Sequence, residues 1–426
     1  MKLRIKRGRL VDPFNNIDEV RDVYIADRVI AGTGRSPSGF TADEEINAQG
    51  LVVCPGFVDL GARLREPGYE YKATLASELR AAAAGGFTSV CCTPDTDPVI
   101  DNDAVVESVL RRARSLRTVR LYCIGALTRN LDGQVLSEMG ALRDAGCIAV
   151  SNVDSAVMDT HVLRQALTYA AGLEMTVFMH SEDPWLARQG VMHEGEISAR
   201  LGLPGIPVAA EAIGLSRDLA LIAESGVHAH IRGISSAPAV RLLRDARRQG
   251  LPVSSDVALA NLCLSEENLI GYDPNYHLRP PLRAKADRRA LTNALANSAI
   301  DAICADHQPH DKDAKSAPFS ATESGASMFD TLLPKLLSLQ SPSKLPLGQL
   351  IRAMTIGPAQ ILGLNAGHLS RNAPADVCIF DPDHEWLAHP DNFVSVGKNS
   401  PFLNEMMRGK AVITIVDGRV VYRADI

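Results

Sequence analysis

The sequence predicts an α/β protein: a TIM-type (β/α)8 barrel joined to a small β-sandwich built from both chain termini. Three observations predict it. Eight short apolar strands recur through the middle of the chain with helical patterns between them. Both ends are instead rich in short alternating strands. The chain has 426 residues, whereas a barrel of this type takes about 250, so well over a hundred are left for a second module.

Taken in order, LRIKRGRLVD, EVRDVYIADRVIAGTG and EEINAQGLVVCPG alternate apolar and polar residues and break at Gly, Asp or Pro. They form the expected N-terminal share of the sandwich, residues 1–54. The barrel is expected over 55–360, its strands being LVVCPGFVDL, FTSVCCT, VRLYCIG, CIAVS, MTVFMH, VHAHIRG, LPVSSDV and AIDAICADH. Segments such as TLASELRAAAAGG, DNDAVVESVLRRARS, DTHVLRQALTYAAG, AIGLSRDLALIAESG, AVRLLRDARRQG and RRALTNALANS carry the i, i+3, i+4 apolar spacing of helices, often ending in Gly. Eight such units in order give a barrel; an open doubly wound sheet is the alternative arrangement. The last share, 361–426, holds ADVCIFDP and AVITIVDGRVVYRADI, where VDG suits a tight turn between two strands. TGRSPSGF and SLQSPSKLP are expected to be surface loops.

Composition excludes several classes. Apolar residues make up 46% and charged residues 22%, a globular balance. The net charge of −6 and the lack of a long basic run argue against nucleic acid as a partner. No apolar run reaches membrane-spanning length, and MKLRIKRGRLVDP lacks the apolar stretch of a secretory leader, so a cytoplasmic protein is expected. The eight cysteines form no Cys-x-x-Cys pair and sit in apolar runs, as buried reduced thiols do.

In a barrel of this kind the chemistry lies at the C-terminal ends of the strands. The segments there are PGFVDLGARLREPGYEYK (55–72), AAAAGGFTSVCCTPDTDPVIDN (81–102), HSEDP (180–184), ARLGLPGIPVAAEAIGLSRDLAL (199–221), RPPLR (279–283) and ADHQPH (305–310). Together they resemble dihydroorotase of the long bacterial type, in the amidohydrolase superfamily, over essentially the whole chain. The REPG and LGLPGIP-to-AEAI stretches are the most family-specific. The resemblance implies a His-x-His after the first strand and one histidine each from the fifth and sixth strands as zinc ligands. It also implies a bridging carboxylate or carboxylated lysine, and an eighth-strand aspartate that binds metal and acts as general base. Metal-acidified water then opens a cyclic amide.

At those positions this chain departs. The His-x-His positions are Gly61, which has no ligand atom, and Arg63, a fixed cation. The acidic pair after the fourth strand is Asn152 and Val153, with Asp154 one residue on and expected to face away. The sixth-strand histidine position is Gly233; His230, three residues earlier, is expected to point elsewhere. His180 and Asp306 remain, expected as vestiges rather than as ligands or catalytic groups. On the substrate side, Arg65 and His310 are retained, Asp95 replaces an asparagine and would repel an anionic substrate, Arg279 replaces another, and a histidine pair is replaced by Ala260 and Asn261. The four residues Arg65, Asp95, Arg279 and His310 are therefore the expected vestigial pocket.

Other expectations follow from the same segments. Arg63 is expected to pair with Asp306 or Asp59, and Arg65 with Glu66 or Asp59. His307 and His310 are expected to be solvated or to staple the loop, Glu70 and Lys72 to be surface charges, and Ser181-Glu182-Asp183 to form a loop and helix cap. The pattern is most similar to the non-catalytic dihydroorotase homologues that accompany aspartate carbamoyltransferase. It implies no cofactor, that transferase as partner, and a homo-oligomer. The alternatives are a working zinc dihydroorotase with a degenerate site, or a sensor whose Arg63, Arg65 and Arg279 bind an anion.

Overall fold

The computed structural model describes residues 2–340 and 345–425. The SPSK portion of the expected SLQSPSKLP loop lies outside them. The core is an eight-stranded parallel sheet whose strands run in chain order: Phe57–Ala62, Phe87–Cys92, Arg120–Ala126, Cys147–Ser151, Thr176–Met179, Ala229–Ile231, Val253–Ala258 and Ala302–Cys304. The eight expected strand segments each supply one of these. Parallel neighbours need crossovers, and helices such as Leu75–Ala84, Asp103–Leu116, Thr160–Gly172, Val208–Ser225 and Ala237–Arg248 provide them. Four of these five N-termini are set by side-chain caps at Thr74, Asn102, Asp159 and Ser236, which accept from the first free backbone N–H groups, whereas Val208–Ser225 starts after Pro207 without one. Helices Met139–Ala145, Phe329–Ser338, Leu347–Met354 and Ile356–Ile361 are additional to those the spacing indicated.

The barrel interior is filled by Leu60, Cys91, Ile124, Ala149, Phe178 and Cys304 among others, alternate inward positions of successive strands. The first and eighth strands are drawn together by a carboxylate. Asp59, fully buried, accepts from Ala305 N at 2.8 Å through Oδ1 and from Gly61 N at 3.3 Å through Oδ2. Just beyond, Arg63 N donates to His307 O at 2.9 Å.

The LVVCPGFVDL segment serves two sheets. Val52–Pro55 belongs to a six-stranded sheet outside the barrel, and the barrel strand starts at Phe57. Gly56 stands between them, and a Cβ there would come within 2.1 Å of Thr88 Cγ2, so only glycine allows this approach. That sheet is composite: Val377–Leu387 pairs antiparallel with Val52–Pro55, placing C-terminal strands beside N-terminal ones. A second sheet of four strands comes from residues 2–47. Leu3, Ile5, Leu10, Ile25, Val53, Ile379 and Ile415 pack into a core separate from that of the barrel. The VDG turn is a hairpin turn with Asp417 at φ 50° and Gly418 at φ 69°, the left-handed pair that matches strand twist. The eight cysteines are free, and seven are buried. Among the described residues no helix is long and apolar enough to cross a membrane.

Candidate functional site

The strand ends converge on a mouth filled with charge. Arg63 projects into it from the first strand end, with Nε 2.5 Å from Asp95 Oδ2 and Nη2 2.5 Å from Asp154 Oδ2. The expected pairing with Asp306 or Asp59 is therefore corrected: Asp59 is consumed in joining the first and eighth strands. Asp154 faces the mouth rather than away from it. The cause is Val153, a β-branched residue at φ 50°, which interrupts strand alternation just after Ser151. Burial alone would raise the Asp154 carboxyl, but Arg63 first, then His180, Arg232 and Arg279, hold it well below the usual carboxylate range.

Arg232 is the residue that the sequence did not single out. It follows the sixth strand, donates its backbone N–H to Met179 O at 2.8 Å, and turns its buried guanidinium toward the first strand. A Cβ at Gly61 would lie 2.9 Å from Arg232 Nη2 and 3.1 Å from its Cζ. The space that a side chain at Gly61 would enter is thus occupied by a guanidinium. Arg232 Nη2 lies 3.9 Å from Asp306 Oδ1. Burial raises the Asp306 carboxyl above its ordinary value, against the pull of Arg63 and Arg232. Its Oδ1 also accepts from Gln308 Nε2 at 2.9 Å. An arginine one residue before Gly233, at a strand end, was the available signal.

Gly233 is held in the left-handed region at φ 62°, and a Cβ there would meet Pro280 Cδ at 3.1 Å. Its N–H donates to Asp256 Oδ1 at 2.6 Å. His230 does point elsewhere than the mouth: fully buried against the Phe178 ring, it lies 2.9 Å from Ser254 Oγ through Nδ1 and 3.2 Å from Asp256 Oδ2 through Nε2. Asn152 accepts from Thr128 N and Oγ1, which anchors the loop beyond the third strand. His180 is the retained histidine whose Nε2 is buried without a hydrogen-bond partner.

The four residues expected to line a substrate pocket are engaged separately. Arg65 donates Nε–H to Pro309 O at 2.9 Å, and its Nη2 lies 3.1 Å from His310 Nε2, so it pairs with neither Glu66 nor Asp59. Burial and the Arg65 charge push the His310 imidazole down to about 2, which keeps it neutral. Asp95 is tied to Arg63, and Arg279 is ion-paired with Glu182. Each of Arg63, Arg65 and Arg279 is thus engaged within the chain, although Arg279 Nε is buried without a hydrogen-bond partner. Asn261 Nδ2 donates to Pro281 O at 3.1 Å.

The loop residues divide. His307 staples as expected: Nε2 lies 2.8 Å from Glu78 Oε2, Nδ1 accepts from Met328 N at 3.0 Å, and the ring stacks on Phe329 at 3.9 Å. Glu78 also accepts from Ser395 Oγ at 2.6 Å, so one histidine ties three segments together. Asp183 caps helix Pro184–Ala187, accepting from Leu186 N, whereas Glu182 turns to Arg279. Glu70 accepts from Gly68 N, but Lys72 is a correction: it is buried, 2.5 Å from Glu323 Oε2.

The donor set at the mouth does not suit a divalent metal. Among the described residues no three His, Cys, Asp or Glu side chains converge as a metal site would require. The carboxylates that could serve are already compensated by guanidinium groups, which repel a cation and carry no lone pair to donate. The mouth holds ion pairs and one carboxyl whose affinity for protons is raised by burial.

Comparison with known proteins agrees with the fold and the segments. The profile of a family described as Dihydro-orotase-like matches residues 50–238, and one described as Amidohydrolase family matches 333–422. A dihydroorotase-like protein of Pseudomonas aeruginosa is 45% identical over 422 residues, covering 99% of this chain and 100% of its own length. A dihydroorotase of Geobacter sp. is 43% identical over 424 residues, with 100% of both chains covered. Among solved structures, an L-hydantoinase from Arthrobacter aurescens superposes with a TM-score of 0.88 at 23% identity, covering 99% of this chain and 96% of its own, a likeness of fold. With whole-length relatives well above 30% identity, this chain belongs to the dihydroorotase-like family of the amidohydrolase superfamily.

Proposed function

We propose that this protein is a catalytically inactive dihydroorotase homologue of de novo pyrimidine biosynthesis, acting in the cytoplasm as an assembly subunit for aspartate carbamoyltransferase and forming a homo-oligomer. The observation that carries inactivity is the position of two guanidinium groups. Arg63 lies between Asp95 and Asp154, and Arg232 lies against Gly61 and Asp306, where the family relies on imidazole ligands. No zinc or other cofactor is part of this reading. The partner rests on the resemblance to homologues that accompany the transferase. Mixing the purified chain with aspartate carbamoyltransferase from the same organism and resolving the mixture by size tests it. A single co-eluting peak is expected, and two independent peaks would overturn it.

One observation favours a second reading, an active zinc dihydroorotase with a degenerate site. His180 Nε2 is buried without a partner, within electrostatic reach of Asp154 and in the same mouth as Asp306. Turnover of dihydroorotate by the isolated chain in zinc-containing buffer would select this reading, and its absence would remove it.

A further inference from the structure

At the end of the barrel away from the charged mouth, a cleft of about 670 Å³ separates the barrel's outer wall from the C-terminal hairpin. Five arginines line it: Arg28, Arg114, Arg117, Arg120 and Arg419. The lining includes one acid, Asp417, in a chain whose net charge is −6. Two of the five are compensated. Arg120 is ion-paired with Asp376 and Asp417, and Arg28 with Asp417. The side chains of Arg114, Arg117 and Arg419 make no hydrogen bond or ion pair among the described residues. A second observation points the same way: Thr118 is on the lining, and its Oγ1 is buried beneath it without a hydrogen-bond partner.

A helix dipole accounts for part of this. Arg114 and Arg117 stand at the C-terminus of helix Asp103–Leu116, where cations are favoured. It does not account for Arg419, which comes from the hairpin across the cleft, or for the orphaned hydroxyl. Three uncompensated guanidinium groups facing one space suit phosphate oxygens, which they bind in a planar two-point fashion. The volume is that of a small-molecule site, and Tyr122 and Ile148 give it an apolar wall.

We propose that this cleft binds a phosphorylated small molecule of nucleotide size, whose phosphates join Arg114 and Arg117 of the barrel to Arg419 of the hairpin and accept from Thr118. Calorimetric titration of the full chain with inorganic pyrophosphate and with adenosine diphosphate, using adenosine as the uncharged control, tests it. Saturable one-to-one binding of the phosphorylated probes is expected, with none for adenosine and a loss of affinity as salt rises. The doubly substituted R114Q/R419Q chain, altered at two exposed unpartnered positions, should bind about tenfold more weakly while melting at the unliganded wild-type temperature. Should that variant fold poorly, Thr118→Val provides the same comparison at a single uncharged position. Absence of saturable binding by both phosphorylated probes, or binding that no substitution weakens, would overturn the proposal. So would a response to long polyanions such as heparin alone.

Discussion

Arg63 is shared by two carboxylates, so its removal should cost more than one ion pair. With Asp95 and Asp154 a quarter and a third exposed, Arg63→Ala is expected to destabilise the chain by about 2–3 kcal/mol in chemical denaturation, less than a fully buried network would lose. The pH dependence has a definite sign. Asp154 has a depressed pKa, so its contribution is present above the unfolded carboxylate range and is lost as pH falls below about 4. Arg63→Ala should flatten that acid limb. An unchanged limb would show that the pairing contributes nothing. At this scale the chemistry of single positions could be read directly, because a glycine at 61 or 233 and an arginine at 63 cannot do what imidazole does. What surrounds them could not be read. The partners of Arg63 are 32 and 91 residues away, and Asp154 is brought to Arg63 Nη2 only through the left-handed Val153, a backbone state that strand alternation does not anticipate.

Strands and their junctions were more legible, since alternation and apolar runs encode them locally. The eight barrel segments and the VDG hairpin are where the pattern places them. The strand that reads as one piece through Gly56 is two, because the glycine lets the chain pass Thr88 at a distance no Cβ could share. The joining of the first and eighth strands depends on Asp59, and this too has a titration signature. Burial raises its carboxyl to about 6, so the protonated form is favoured on folding. Its contribution is complete below about pH 4 and is lost as pH rises through about 6, the opposite sense to Asp154. Asp59→Asn keeps an oxygen for Ala305 N–H and has no charge to bury. Over that window it should remove a slope on the order of 2–3 kcal/mol in stability measured against pH. Asp330, whose carboxyl burial also raises to about 6, adds a share of its own, so a slope undiminished by Asp59→Asn, rather than any residual slope, would contradict the assignment.

The whole molecule keeps its architecture while its mouth is recharged. The terminal strands still pair with one another around their own core, and the barrel still delivers its strand ends to one place. What arrives there is guanidinium and carboxylate in mutual compensation. Two cations fixed in the chain should exclude a third from solution. Restoring Gly61→His and Arg63→His together should still fail to create a tight zinc site, because Arg232 occupies the adjoining space; adding Arg232→Ala should raise the zinc retained per chain. The most direct test is zinc bound per unmodified chain after equilibration with the free ion and gel filtration, measured by elemental mass spectrometry. Far less than one zinc per chain is expected, and unchanged in His180→Ala. Stoichiometric zinc that disappears in His180→Ala would contradict the replacement of metal by arginine.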